Sequence, residues 1–446
     1  MSDLLSIGAS GVRAYQSALT TTGDNIANTG VAGYTRRTSV LAEVTAVNGV
    51  AGRNLQGSGV TVTGIARQGD IYRAAAVRTA GADLARTEAG AVWLERIETS
   101  LTGSDLGARL TSFFGTARQL AADPTSEPQR AVLLENAKAL AGAFTTTGRT
   151  LDQSMAELDT EASQAVGELN SLAEALAQAN DGLGRVGVGG AAAAQLADRR
   201  DLILEQMSAL SDINVAIDTL GRATVTMGAT GPTLVRGSDA GRVSYARAGG
   251  AVTLTLQNGG AFQAFTPVGG SLAGLTEGAG RIFDTRASLN ALALDFVDEV
   301  NAIQAGGRDL AGLAGQPLFS LADRANPTAI QVSLTDPRGI AAAAVGGGVR
   351  DSGNLQLLEN MREAHGWEAG LTRLVTGNAA ALEQRKLVAG AQIAIRDGAV
   401  TARDRLSGVD LDNEAVELMR FQQAYQASSR VIQVARDIMQ TLLEIR

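Results

Sequence analysis

Apolar residues recur every seven positions at both ends of the chain. Leu5, Val12, Leu19 and Ile26 lie seven apart, and Gly8, Tyr15 and Thr22 follow the first three at an offset of three. The spacing predicts a helix over 3–28 with one apolar seam, half of it built from small residues. Leu411, Leu418, Tyr425, Ile432 and Met439 repeat the spacing, with Phe421, Ala435 and Leu442 at the offset of three. At 1.5 Å per residue the segment 411–443 makes a helix of roughly 50 Å. Asp410, Asp412 and Glu414 at its start suit the positive end of the helix dipole. Two terminal helices with open apolar stripes need partners, either each other, other copies of the chain, or both.

A third seam runs through 144–176, where Phe144, Leu151, Leu158, Ala165 and Leu172 are seven apart. Met155, Ala162, Leu169 and Leu176 widen it on one side. Residues 70–101, 105–122, 286–305 and most of 354–406 also read as helices. Between them the period falls to two, from about 213 to 270. Val215 and Ile217, Ala223, Val225 and Met227, then Val252, Leu254 and Leu256 alternate with polar neighbours. Gly249-Gly250 and Asn258-Gly259 are placed as hairpin turns. A shorter strand pattern lies at 328–334. The proline positions fit this plan, since none precedes Pro124 and none follows Pro337, so both ends lack the strongest helix breaker.

The expected fold is therefore mainly α with a small β insert, the helices being formed from N- and C-terminal parts nested around a small antiparallel β domain. Residues 1–35 with 408–446 form a terminal helical unit. Residues 36–212 with 286–407 form a helical body, and 213–285 form the insert.

Composition narrows the function. The chain of 446 residues has no Cys and one His, which excludes disulfides, thiolate sites and multi-His metal centres. A net charge of −8 argues against a nucleic-acid binder. Aromatics are 4%, and 78 residues are Ala, which points to thin, close-packed helices. Of the basic residues only Lys138 and Lys386 are Lys. The start of the chain has no basic and apolar leader, and no window is long and apolar enough for a membrane-spanning helix, so export by a cleaved signal and membrane insertion are not expected.

No catalytic constellation emerges. Gly182, Gly184 and Gly187 match G-x-G-x-x-G, but after a helix rather than a strand, so they read as a flexible helix–helix loop. Asp410-Leu-Asp412-Asn413 reads as helix capping rather than a calcium loop. Asp198-Arg199-Arg200-Asp201 reads as a solvated face with local ion pairs. His365 beside Trp367 has no nearby nucleophile. No catalytic, metal or cofactor-binding residue is expected.

One segment carries a specific resemblance. Asn25, Ala27, Asn28, Gly33 and Tyr34 match N-x-A-N-x-x-x-x-G-Y, the N-terminal signature of bacterial flagellar axial proteins. The run Arg420-Phe421-Gln422-Gln423-Ala424-Tyr425 after Asp412 and Glu414 resembles the C-terminal helix of the first hook-associated protein, the FlgK family. Thr35-Arg36-Arg37, the 198–201 cluster and Pro317-Leu318-Phe319 are similar to that family too. The resemblance implies a structural protein. A ring of copies joins the hook protein to the filament through a second junction protein, the terminal helices form an inner tube and the body forms the next shell. It implies export through the flagellar type III apparatus without a cleaved signal, to an extracellular position. The single insert implies that an outer domain of longer members is missing.

The assembly interface is expected at Leu5, Val12, Tyr15, Leu19, Asn25, Ile26, Asn28, Gly33 and Tyr34, and at Leu411, Leu418, Phe421, Tyr425, Ile432, Met439 and Leu442. Terminal segments of an isolated chain are expected to be mobile and to order on assembly, and an export chaperone is a candidate partner of the C-terminal seam. Two alternatives stand beside the junction reading. One is another axial subunit (hook, rod or flagellin-like). The other is a secreted enzyme built on Asp218, Asp239, Glu277 and Asp284.

Overall fold

The computed structural model describes residues 2–44 and 59–444, with the side chains of Ser2, Asp3 and Leu442 outside the described residues. Helix α1 (Ser2–Ala27) leads into strands β1 (Arg37–Glu43) and β2 (Val60–Arg67), which pair antiparallel. Helices α2 (Ile71–Thr102), α3 (Leu106–Ala122), α4 (Glu127–Val186) and α5 (Ala191–Leu210) follow. Asp70 caps α2 by accepting from the backbone N–H groups of Tyr72 and Arg73 at 2.8 and 3.1 Å. Pro128 in the first turn of α4 costs nothing, because N–H groups there have no helical partner.

The insert holds strands β3 (Ile213–Ile217), β4 (Ala223–Met227), β5 (Thr233–Arg236), β6 (Asp239–Ala240), β7 (Arg242–Ala248), β8 (Ala251–Asn258) and β9 (Ala261–Phe265). They form two antiparallel sheets, β3-β4-β5-β6 and β7-β8-β9. Gly249-Gly250 is the first hairpin turn, as read from the sequence. The second centres on Gly259-Gly260, one residue later than expected, because both residues have positive φ (54° and 87°), which suits glycine. Helix α6 (Gly270–Gly306) begins well before residue 285 and carries the chain back to the helical body. Strands β10 (Phe319–Leu321) and β11 (Ile330–Val332) pair, and α7 (Gly353–His365), α8 (Trp367–Ser407) and α9 (Leu411–Glu444) complete the chain.

Among the described residues between 36 and 70, the regular structure is extended rather than helical. Strands β1 and β2 form an arm beside α1, where Thr21 Oγ1 and Ser39 Oγ lie 2.9 Å apart and Ser10 Oγ accepts from the Val60 N–H. Alternating Val60-Thr61-Val62-Thr63 carries the strand signal.

The few aromatics are concentrated. Phe113 and Phe114 of α3, Phe144 of α4, Phe296 of α6, Phe319 of β10 and Trp367 of α8 stack edge and face at 5.2–6.2 Å. This knot ties the two separate halves of the helical body. Elsewhere small residues set the spacing. A Cβ on Gly278 of α6 would lie 2.6 Å from Trp93 Cδ1 of α2, so those helices pack at backbone distance only because the position is bare. Along α4, Phe144, Leu151, Leu158, Ala162, Leu169 and Leu176 are buried as the heptad spacing predicts.

Candidate functional site: the joint of the terminal helices

Helices α1 and α9 pack antiparallel, Gly8 meeting Ile432 near one end of the pair and Asn25 meeting Glu414 at the other. A Cβ on Gly8 would lie 2.7 Å from Ile432 Cγ1, and one on Gly11 would lie 2.6 Å from Ser428 Oγ, so glycine permits the close approach. Tyr15 and Phe421 face each other with ring centroids 6.4 Å apart. Leu5, Val12, Leu19, Ile26, Leu418, Tyr425 and Ile432 are half-buried. Leu411 and Met439 stay about half exposed, together with Val416, Met419, Val434 and Ile438. So α9 carries a second apolar face that α1 does not cover. The expectation for the Leu442 side chain lies outside the described residues.

The signature segment closes the other end of the pair. Asn25 is 1% exposed, and its amide fills all four of its hydrogen-bonding positions. Oδ1 accepts from Tyr34 Oη at 2.9 Å and from the Arg37 N–H at 3.0 Å. Nδ2 donates to the Arg37 carbonyl at 2.8 Å and to Glu414 Oε2 at 3.0 Å. One side chain therefore holds α1, the first residue of β1 and the first turn of α9. Glu414, also 1% exposed, accepts from Arg36 Nε at 2.5 Å, so the buried carboxylate is paired. Burial raises the Tyr34 phenol pKa, partly offset by the Arg37 guanidinium 4.7 Å above its ring. Asn28 caps α1 by donating to the Asp24 carbonyl at 2.8 Å. Gly30 and Gly33 turn the chain at φ 81° and 78°.

The 198–201 cluster is the second half of the joint, and here the expectation of a solvated face fails. Asp198 and Arg200 are buried. Asp198 accepts from Arg37 Nη2 at 2.7 Å and Arg67 Nε at 2.6 Å, while Arg67 also reaches Asp201 at 2.7 Å. Burial opposes the charge on Arg67, but Asp201 and Asp198 outweigh it and raise its pKa. Thus α5 grips both strands of the β arm. The Arg36 N–H donates to the Ser407 carbonyl at 2.8 Å, which ties in the link between α8 and α9. Sequence reasoning named Asn25 and Tyr34, but missed Arg36, Arg37, Arg67 and Asp198 as one network that joins β1, β2 and α5 to the start of α9.

The other candidates have structural partners. Gly182 and Gly184 lie inside α4 rather than in a loop. Gly187 ends that helix at φ 69°, and the Gly189 carbonyl accepts from the Ile65 N–H at 2.7 Å, adding this turn to the β arm. Asp410 Oδ1 accepts from the Asp412 N–H, which is capping. His365 stacks on Trp367, and both reach Asp295 Oδ2, at 2.8 and 2.7 Å, bracing α8 on α6. Asp218 pairs with Arg222 in the β3–β4 turn, and Glu277 lies on α6 between Arg86 and Arg385. Among the described residues no cluster of three His, Asp or Glu side chains is arranged to hold a metal ion. No described helix is long and apolar enough to cross a membrane.

Comparison with known proteins places this architecture. Residues 94–319 match the family described as flagellar hook-associated protein FlgK helical domain. Residues 404–445 match the flagellar basal body rod FlgEFG protein C-terminal family. The chain is 31% identical over 333 residues to flagellar hook-associated protein 1 of Salmonella typhimurium, covering 72% of this chain and 60% of that one. It is 28% identical over 362 residues to the Escherichia coli protein of the same name, covering 77% and 66%. With the Bacillus subtilis protein of that name it shares 24% identity over 486 residues, covering 96% and 95%. The chain thus spans about 60% of the length of the Salmonella relative. A solved structure, the flagellar hook junction protein FlgK from Burkholderia pseudomallei, superposes with a TM-score of 0.50 at 22% identity, over 55% of this chain and 46% of that one. It supports the mainly helical fold.

Proposed function

This chain belongs to the FlgK family of flagellar hook-associated proteins, and from that premise we propose that it joins the hook to the filament as a ring of axial subunits. The observation that carries the reading is the uncovered face of α9. Val416, Met419, Val434, Ile438 and Met439 remain exposed after α1 has taken the opposite face. A monomer gains nothing from a helix that is apolar on two sides, whereas neighbouring copies bury the second side.

In this proposal residues 1–35 and 408–446 form the tube-building unit, residues 36–212 with 286–407 the shell around it, and 213–285 an outward insert. Leu5, Val12, Tyr15, Leu19 and Ile26 face α9, while Leu411 and Met439 face neighbouring subunits. The partners are copies of the chain, the hook protein, the second junction protein and an export chaperone that covers the α9 seam. The site of action is extracellular, reached through the flagellar export apparatus.

A second reading, another axial subunit such as a rod or hook protein, is favoured by the rod-type family match of residues 404–445. One experiment separates them. Deleting the gene is expected to leave cells with complete hooks, no filaments and flagellin monomers in the medium. Loss of hooks would favour the rod or hook reading, and normal filaments would overturn both.

A further inference from the structure

Asn258 ends strand β8, and the Gly259-Gly260 turn that follows it is exposed. Asn258 itself is half-buried, at the seam between the two sheets of the insert. Its Nδ2 donates to the Thr233 carbonyl of β5 at 3.0 Å. Among the described residues this is the one side-chain hydrogen bond between the two sheets. The seam is tightly packed. A Cβ on Gly241, in the link between the sheets, would lie 3.3 Å from Asn258 Cβ and 3.0 Å from the Gln257 carbonyl oxygen.

The neighbouring backbone leaves the Asn258 amide open to attack. Among the described residues no hydrogen bond engages the Gly259 N–H. Gly259 has no Cβ to shield its nitrogen, and nothing lies within 4 Å of the place where one would stand. Asn258 Oδ1 accepts no hydrogen bond among the described residues, so the amide is held through Nδ2 alone. Asn170, Asn180 and Asn301 differ on both counts. Their amides bond through both atoms, and each is followed by an N–H already bonded within its helix.

We propose that Asn258 is a deamidation site, and that its conversion unties the two sheets of the insert. The Gly259 nitrogen attacks Asn258 Cγ. The N–Cγ bond forms, the Cγ–Nδ2 bond breaks, and Nδ2 leaves as ammonia with the proton from the Gly259 nitrogen. Water then opens the succinimide ring. Opening at Cγ gives aspartate. Opening at the main-chain carbonyl gives isoaspartate, which adds one carbon to the backbone where Asn258 pairs with Ala261. Either product lacks the donor to Thr233, and the aspartate form sets a carboxylate against that carbonyl oxygen. The net charge moves from −8 to −9 as one amide becomes a carboxylate.

The test ages the full folded chain at 37 °C and pH 8. Asn48 is the only other Asn followed by Gly, so it serves as the reference. Peptide mapping with an isoaspartyl methyltransferase measures product at each asparagine. Position 258 is expected to convert at a rate comparable with Asn48 and well ahead of every other asparagine. Gly259→Ala is expected to suppress product at 258 and to leave Asn48 unchanged. Amide exchange in 233–236 and 251–258 is expected to quicken roughly tenfold in the aged chain, the effect of one orphaned acceptor. Asn258→Asp in a fresh chain is expected to reproduce that change. Conversion at Asn48 with Asn258 intact overturns the site, and so does conversion at 258 in urea alone. A rate at 258 unchanged by Gly259→Ala overturns the attacking nitrogen. Product at 258 with unchanged exchange in both strands, in the aged chain and in Asn258→Asp, overturns the untying of the sheets.

Discussion

Asn25 and Glu414 meet across 389 residues of chain, with Asn25 Nδ2 donating to Glu414 Oε2 at 3.0 Å in a site closed to solvent. The bond fixes the end of the first helix to the start of the last. It also explains why an amide, and not a carboxylate, occupies position 25. The side chain must donate twice and accept twice, and only Asn at this length does both.

Removing the amide leaves the Arg37 N–H and carbonyl without their partners inside the joint. Asn25→Ala is expected to cost about 1–3 kcal/mol, the penalty for orphaned buried polar groups. Asn25→Asp is expected to cost more, because it sets a second carboxylate against Glu414. The double variant Asn25→Asp with Glu414→Gln is expected to recover part of the loss, since it restores a donor opposite an acceptor. Urea unfolding of the unsubstituted chain, Asn25→Asp, Glu414→Gln and the double variant measures the coupling. Additive losses would show that the two residues act independently.

Glycines in α1 are expected to respond oppositely to the same substitution. A methyl group on Gly23 would meet nothing within 4 Å, so Gly23→Ala is expected to stabilise the helix by up to about 1 kcal/mol. At Gly8 the methyl meets Ile432 Cγ1 at 2.7 Å and the Ser428 carbonyl at 3.3 Å. Gly8→Ala is therefore expected to push α9 away and to speed amide exchange in both helices. Trimming the partner with Ile432→Ala should relieve the contact with Cγ1. Protection unchanged in Gly8→Ala would refute the close packing of the pair.

The heptad seams make the long helices legible, because a period of seven survives any tertiary context. The period-two stretch does the same for the insert. The joint is only half legible. Asn25 and Tyr34 stand out as a motif, but Arg37, Arg67 and Asp198 are scattered, the first and last 161 residues apart, and nothing local distinguishes a buried arginine from a surface one. The 198–201 cluster misleads for that reason. Its charge pattern is the one a solvated helix shows, and only the β arm lying over it makes it buried.

A recurring device is invisible in the sequence. Asn25, Asn170, Asn180 and Asn301 each lie on a helix and each clamp both the N–H and the carbonyl of one residue in a strand. Their partners are Arg37, Val243, Ala223 and Phe319, all at 2.7–3.0 Å. The amide imitates a strand neighbour and docks a sheet on a helix without a further strand. A single asparagine in a helix carries no periodic signal, so only the fold reveals the role.

The clamp at Asn180 makes a sharp prediction. Its Nδ2 donates to the Ala223 and Gly237 carbonyls at 2.8 and 2.9 Å, and it is fully buried. Asn180→Asp keeps the shape but cannot donate while ionised, so the four-stranded sheet is expected to loosen while the aromatic knot of the body holds. Hydrogen exchange should quicken in 213–240 well before 106–122. Equal acceleration in both segments would show that the insert and body unfold as one.

Acid should act on the contact between insert and body. Asp159 on α4 accepts from Arg247 Nε and Nη2 at 2.7 and 2.6 Å and from Tyr245 Oη at 2.6 Å. The Arg247 hydrogen bonds hold the Asp159 carboxyl below its ordinary value of 3.8, against the opposing effect of burial. A carboxyl with a lowered pKa in the fold contributes stability that is complete above about pH 4 and is lost as the pH falls through its folded value. Tyr245 works at the other limit. Burial and its bond to Asp159 raise its pKa, so its contribution is complete below pH 10 and is lost above it. Asp159→Asn is therefore expected to lower the melting temperature at pH 7 and to close the gap to the unsubstituted chain as the pH falls below 4. Melting curves at pH 7, 5, 4 and 3 measure this. A gap that stays constant down to pH 3 would mean that the carboxylate charge at 159 contributes nothing to holding the insert on α4.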